Sequence, residues 1–184
     1  QWVSVGSGAA LAAGRDGNAD VLITHAPDNE KLLVAQGHLT MRLPFAYNYF
    51  TVVGPKNKKG VDPAGVKTAK SAAQAFKKIA AWGKKLPAGK VAFVSRGDNS
   101  GTHSAEKTIW KNAKMDYATQ VQKSGDWYIE AGKGMGETLQ LANEKDAYTL
   151  EARGGDLIVQ ACRFDWVRPD VLLGPRVDTA VVAG

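Results

Sequence analysis

The chain has one cysteine, Cys162, among 184 residues, so it can form no internal disulfide and carries no cysteine-based metal motif. It has no apolar run of about 18 residues, the length a helix needs to span a bilayer. Acidic residues are scarce in one region: ten lysines but only one acid, Asp62, lie between Lys56 and Lys90. Familiar chemical motifs are also missing. Gly101 is followed by Thr102 with no lysine between, which excludes a phosphate-binding Walker loop. Gly97-Asp98-Asn99-Ser100-Gly101 lacks the spacing of a nucleophile elbow. Gly6-Ser7-Gly8 is followed three positions on by Leu11, which excludes a dinucleotide fingerprint. There is no internal repeat and no signal peptide. Residues 2–5 read as the middle of a strand, so a leader, or more than a leader, is expected ahead of Gln1.

What is present is ordinary globular material, 44% hydrophobic and 23% charged. The length suits one domain or two lobes of about 90 residues each. The net charge of +6 leaves two readings of the lysine-rich stretch, a solvated face or a polyanion-binding face whose affinity would fall with salt. The aromatics fall at core-facing spacing and form no stacking platform for bases, so no nucleic-acid partner is expected.

Strands and helices alternate. Strands are expected over 2–5, 20–25, 45–53, 90–95, 127–130 and 147–150, with weaker signals over 157–162 and 177–182. Helices are expected over 9–14, 28–36, 71–82, 102–114 and 134–145. Asp28 reads as an N-cap, Gly37 and Gly83 as helix stops, and residues 57–63 as a polar loop. The pattern predicts an α/β fold with largely parallel sheets.

Three glycine-containing loops each join a strand to a helix. They are Val5-Gly6-Ser7-Gly8, Ser95-Arg96-Gly97-Asp98-Asn99-Ser100-Gly101-Thr102, and Gly132-Lys133-Gly134-Met135-Gly136. A helix start exposes unpaired N–H groups and a partial positive charge, and glycine lets an anion come close to them. Ser7, Ser95, Ser100, Thr102 and Thr138 add hydroxyls, and Arg96 adds a planar fork of donors suited to an oxyanion. Two alternatives use the same region. His103 and Glu106, three apart on a helix, with His25 at a strand end, make a candidate metal set. A Ser100–His103–Asp98 hydrolytic triad is a weaker arrangement, because triads draw their members from distant segments.

The stretch from Ser95 to His103 with Trp110-Lys111 resembles the tungstate-binding receptors of bacterial ABC importers. So do Trp127-Tyr128-Ile129-Glu130-Ala131-Gly132-Lys133-Gly134-Met135-Gly136-Glu137-Thr138-Leu139 and Ala147-Tyr148-Thr149-Leu150. The segments over 5–11, 18–27 and 47–55 are similar to the same family, and the likeness runs from about Val3 to Arg153. The resemblance implies a two-lobed type II periplasmic-binding-protein-like fold, with residues 1–47 and 151–184 in the first lobe. Residues 48–150 then make the second lobe and include the crossover strands.

The same resemblance implies a tetrahedral oxyanion ligand, tungstate or molybdate ahead of sulfate or phosphate, and no cofactor. Ser7 and Gly8 become first-lobe ligands; Ser95, Arg96, Ser100, Gly101 and Thr102 become second-lobe ligands; Gly136 and Thr138 stand beside them. It further implies a non-enzymatic, monomeric, extracytoplasmic protein that serves the membrane permease of an ABC importer. In this family a strand and a Thr/Ser-rich anion loop precede the position of Gln1, and residues 155–184 depart from its usual ending. The first lobe of this chain is therefore expected to be incomplete.

Overall fold

A computed structural model describes residues 1–55, 62–152, 164–167 and 173–183. The strand expected over 157–162, Cys162 and most of the loop expected over 57–63 lie outside the described residues. In chain order the elements are α1 (Ser7–Arg15), β1 (Val21–Thr24), α2 (Pro27–Ala35), β2 (Leu39–Pro55), α3 (Ala72–Gly83) and β3 (Phe93–Ser95). They continue with α4 (Gly101–Asn112), β4 (Tyr128–Glu130), α5 (Met135–Glu144), β5 (Thr149–Ala152), β6 (Phe164–Val167) and β7 (Leu173–Ala183).

β2 is the seam of the molecule. Its first part, from Leu39 to Phe50, pairs with β7, and Phe50 to Val53 pair with β5. β6 lies along Val52 to Pro55. The larger sheet runs β1-β7-β2-β5. A second sheet holds β3 parallel to β4, and a parallel bridge from Phe93 to Tyr148 ties β3 to the approach of β5. The sequence pattern starts this strand at residue 45, whereas it begins at Leu39 and runs through Pro44, which has no N–H for the ladder. The structure absorbs that proline in a register shift between Pro44 and Ala46.

The expectation of largely parallel sheets holds for β3 and β4 and fails in the larger sheet, where every pairing is antiparallel. Residues 2–5, expected as a strand, belong to no element, and Trp2 and Val3 are 77% and 65% exposed. β1 pairs with β7, which runs the other way.

The helices follow from local chemistry. Ser71 caps α3 by accepting from Gln74 N–H at 3.2 Å, and Ala72, Ala75, Phe76 and Ile79 bury one face. Gly83 ends α3 buried against β3 and β4: a Cβ there would stand 2.8 Å from Ala92 Cβ and 2.9 Å from Trp127. α2 starts two residues earlier than an Asp28 cap predicts: Ala26 is the N-cap and Pro27 takes the first helical position. Its cap is supplied by Glu30, whose Oε1 accepts from Ala26 N–H at 2.8 Å and Thr24 Oγ1 at 2.7 Å. Arg42 of β2 closes this buried group on Oε2 at 2.7 Å.

The main core lies among α3, α4, β3 and β4. Phe76 and Trp110 pack tilted at 60° with ring centroids 4.5 Å apart, and Phe93 meets both Trp110 and Tyr128 within 6 Å. A smaller core of Leu11, Leu22, Ala26 and Leu39 joins α1, β1 and β2. These two cores place the starts of α1 and α4 on either side of one seam.

Candidate functional site

α1 begins at Gly6, which has no side chain to cap the helix, and the first ladder bond runs from Ala10 N–H to Gly6 O at 3.0 Å. The N–H groups of Ser7, Gly8 and Ala9 thus have no carbonyl within the helix to pair with. Ser7 is buried, and its Oγ accepts from His25 N–H at 3.2 Å, which fixes the hydroxyl and leaves its proton to donate. α4 begins at Ser100, whose Oγ caps His103 N–H at 3.2 Å, leaving Gly101 and Thr102 as its open N–H groups. Thr102 is buried at this helix start.

These two helix starts abut. A Cβ added to Gly8 would lie 2.6 Å from Asn99 O, and one added to Gly6 would lie 4.0 Å from Ser100 Cβ. One added to Gly101 would lie 1.8 Å from the His25 ring. Gly8 is glycine because the Asn99 backbone comes this close, and Gly101 because the His25 ring does. Beside the Gly8–Asn99 contact is a cavity of about 260 Å³ lined by Gly8, Ala26, Asn99, Ser104 and Lys107 among others.

Arg96 lies at the α4 side. Its Nη2 donates to Asp98, while its Nε is buried with no hydrogen-bond partner. Asp98 also accepts from Ser100 N–H at 3.1 Å. Burial pushes the Asp98 carboxyl upward, but the hydrogen bonds from Ser100 and the charge of Arg96 outweigh it and hold the group below its usual range. Sequence reasoning missed Asp98 as the partner of Arg96, although an acid two residues from an arginine in a tight loop was a visible signal. It also missed Asn99, whose φ of 56° turns the chain into α4.

Two expected ligand hydroxyls are used internally. Ser95 Oγ donates to Glu106 at 2.6 Å, and Thr138 Oγ1 donates to Gly134 O at 2.8 Å. Their protons are spent on a buried carboxyl group and on the Gly134 carbonyl, which also accepts from Thr138 N–H at 3.0 Å. Gly136 is the second residue of α5, whose start is uncapped at Gly134, and α5 packs on Val53 through Met135 and Leu139. The structure brings together Ser7, Gly8, Arg96, Ser100, Gly101 and Thr102, and leaves Ser95, Gly136 and Thr138 in supporting positions.

The alternative metal set does not assemble, and no cluster of three such ligands exists among the described residues. Glu106 is buried and accepts from Ser95 Oγ, from Trp110 Nε1 at 3.0 Å and from Tyr128 Oη at 2.7 Å. Burial pushes its carboxyl up to about 7 against those hydrogen bonds. His103 Nδ1 accepts from Asn99 N–H at 3.0 Å, and its Nε2 meets Tyr117 Oη at 2.8 Å. Burial and the charge of Lys107 bring His103 down to about 4, against the pull of Glu130 and Asp98. These side chains point into the α4–β4 packing, while the His25 ring lies on Gly101. The triad fails for the same reason: Ser100 Oγ serves the backbone, and both His103 nitrogens face other partners.

A family model for a PBP superfamily domain matches residues 1–165. The chain is 42% identical over 158 residues to a putative ABC transporter anion-binding protein of Haloferax volcanii, covering 86% of this chain and 41% of that protein. It is 39% identical over 159 residues to the tungstate-binding protein TupA of Peptoclostridium acidaminophilum, covering 86% and 50%. The chain thus spans about half the length of these curated relatives. Among solved structures, the tungstate ABC transporter protein of Geobacter sulfurreducens superposes with a TM-score of 0.73 at 38% identity, covering 98% of this chain and 70% of that one. The chain therefore belongs to the PBP superfamily, and the relatives it resembles include tungstate-binding proteins.

Proposed function

We propose that this chain forms part of a solute receptor that holds a tetrahedral oxyanion, tungstate ahead of molybdate, for delivery to an ABC importer. The observation that carries it is the meeting of the α1 and α4 starts, with open N–H groups on both sides, and a buried, unpaired Arg96 Nε in the loop that leads into α4. An oxyanion there receives donors from both lobes without a counter-cation. The ligand groups are Ser7, Gly8, Arg96, Ser100, Gly101 and Thr102. The names of the relatives support tungstate as the anion. In this reading residues 1–47 with 151–184 form one lobe and residues 48–150 the other, and β2 and β5 cross between them. The protein works outside the cytoplasm, performs no catalysis and meets a membrane permease.

Titration calorimetry of the folded protein with tungstate, molybdate and sulfate tests the proposal. Saturable heat with tungstate at least as tight as molybdate, and sulfate weaker, is expected. No heat with any of the three refutes it.

A further inference from the structure

We propose that His103 is a positioning residue: its Nδ1 holds the Asn99 turn, and through it the contact between the two helix starts, in the form that receives the anion. The inference rests on the oxyanion reading above.

Asn99 is the pivot of that contact. It is left-handed at φ 56°, an uncommon conformation for a residue other than glycine. Its carbonyl oxygen lies against Gly8 of the opposite helix start, while its own N–H donates to His103 Nδ1 at 3.0 Å. The same His103 is held from the other side by Tyr117 Oη at 2.8 Å, and Tyr117 in turn donates to Glu130. A backbone N–H only donates, so Nδ1 carries no proton and the ring proton sits on Nε2, directed to Tyr117. The ring is buried and its first-turn N–H is capped by Ser100, so it has little freedom to shift. Burial together with Lys107 favours the neutral ring that this bond requires, whereas Glu130 and Asp98 favour the imidazolium; Arg96 sides with neutrality.

The two amide substitutions separate this role from simple packing. In His103→Asn the amide oxygen stands near the Nδ1 position and can accept from Asn99. His103→Gln reaches toward Tyr117 and leaves Asn99 N–H without its acceptor. With both variants folded, tungstate affinity is expected within about threefold of the parent for His103→Asn and at least about tenfold weaker for His103→Gln. Equal weakening in both, or none in either, overturns the proposal.

Amide hydrogen exchange at Asn99 gives a readout that does not depend on any anion. Protection is expected in the parent and in His103→Asn, and its loss in His103→Gln. Equal exchange in all three overturns the positioning role, even if tungstate does not bind and only the oxyanion reading falls. Nitrogen NMR of the imidazole in the unsubstituted protein needs no variant at all. The neutral Nε2–H form is expected near pH 7, and an Nδ1–H form or an imidazolium refutes the proposal.

Discussion

Gly101 at the start of α4 lies against the imidazole of His25, just after β1, so closely that a Cβ would sit 1.8 Å from Cδ2 and 2.0 Å from Nε2. With Gly8 on Asn99, it defines how near the two helix starts come. Gly101→Ala forces the ring away. The expected cost is about 1–3 kcal/mol in urea unfolding, together with weaker tungstate binding. An unchanged midpoint and affinity would show that the ring has free space to move into.

Arg96→Ala is expected to weaken tungstate binding by about 1.5–3 kcal/mol, the worth of a charged hydrogen bond. It also strips Asp98 of its cationic partner and leaves a negative charge beside the anion. Arg96→Ala with Asp98→Asn is therefore expected to bind better than Arg96→Ala alone. Calorimetry of the single and double variants measures the coupling, and strict additivity would mean the two side chains act independently.

Glu106 and His103 give opposing pH dependences. The Glu106 carboxyl rises from 4.5 to about 7 on folding, so the native state holds its proton more firmly; that stabilisation is full below 4.5 and is lost as pH rises through 7. His103 falls from 6.5 to about 4, so its contribution is full above 6.5 and is lost as pH falls through 4. Glu106→Gln removes the first effect and keeps a neutral group among Ser95, Trp110 and Tyr128. The variant should gain stability relative to the parent as pH rises from 4.5 to 7, by at most on the order of 3 kcal/mol. Thermal melts across that window measure it; a constant difference between the two proteins would place the Glu106 carboxyl in its ordinary range.

Glu30 ties β1, α2 and β2 through Thr24, Ala26 and Arg42. Glu30→Ala leaves a half-buried guanidinium and an open helix start, and is expected to cost about 3–5 kcal/mol in chemical denaturation. A loss below about 1 kcal/mol would mean that the group contributes no more than a surface pair.

Much of this molecule was legible in the sequence where local chemistry decides. The apolar face and the Gly83 stop placed α3 nearly to the residue, and Gly37, left-handed at φ 78°, ended α2 as expected. The glycines before α1, α4 and α5 likewise marked real helix starts. The failures come from contacts far apart in the chain. Nothing within residues 2–5 says whether a neighbouring strand will pair with them, and nothing in 21–24 says that β7 will run beside them antiparallel. In the site, hydroxyl type suggested ligands at Ser95 and Thr138, but the partner that takes each proton depends on folding. Glu106 arrives from a helix eleven residues on, and the Thr138 hydroxyl folds back onto Gly134 O, the carbonyl its own N–H also meets.

Crystals of the protein grown with tungstate, measured at the tungsten absorption edge, test the central claim most directly. One strong anomalous peak is expected at the seam of α1 and α4, within hydrogen-bond reach of the Gly8, Gly101 and Thr102 N–H groups and of Arg96. A peak elsewhere, or no peak in a folded and tungstate-saturated crystal, would contradict it.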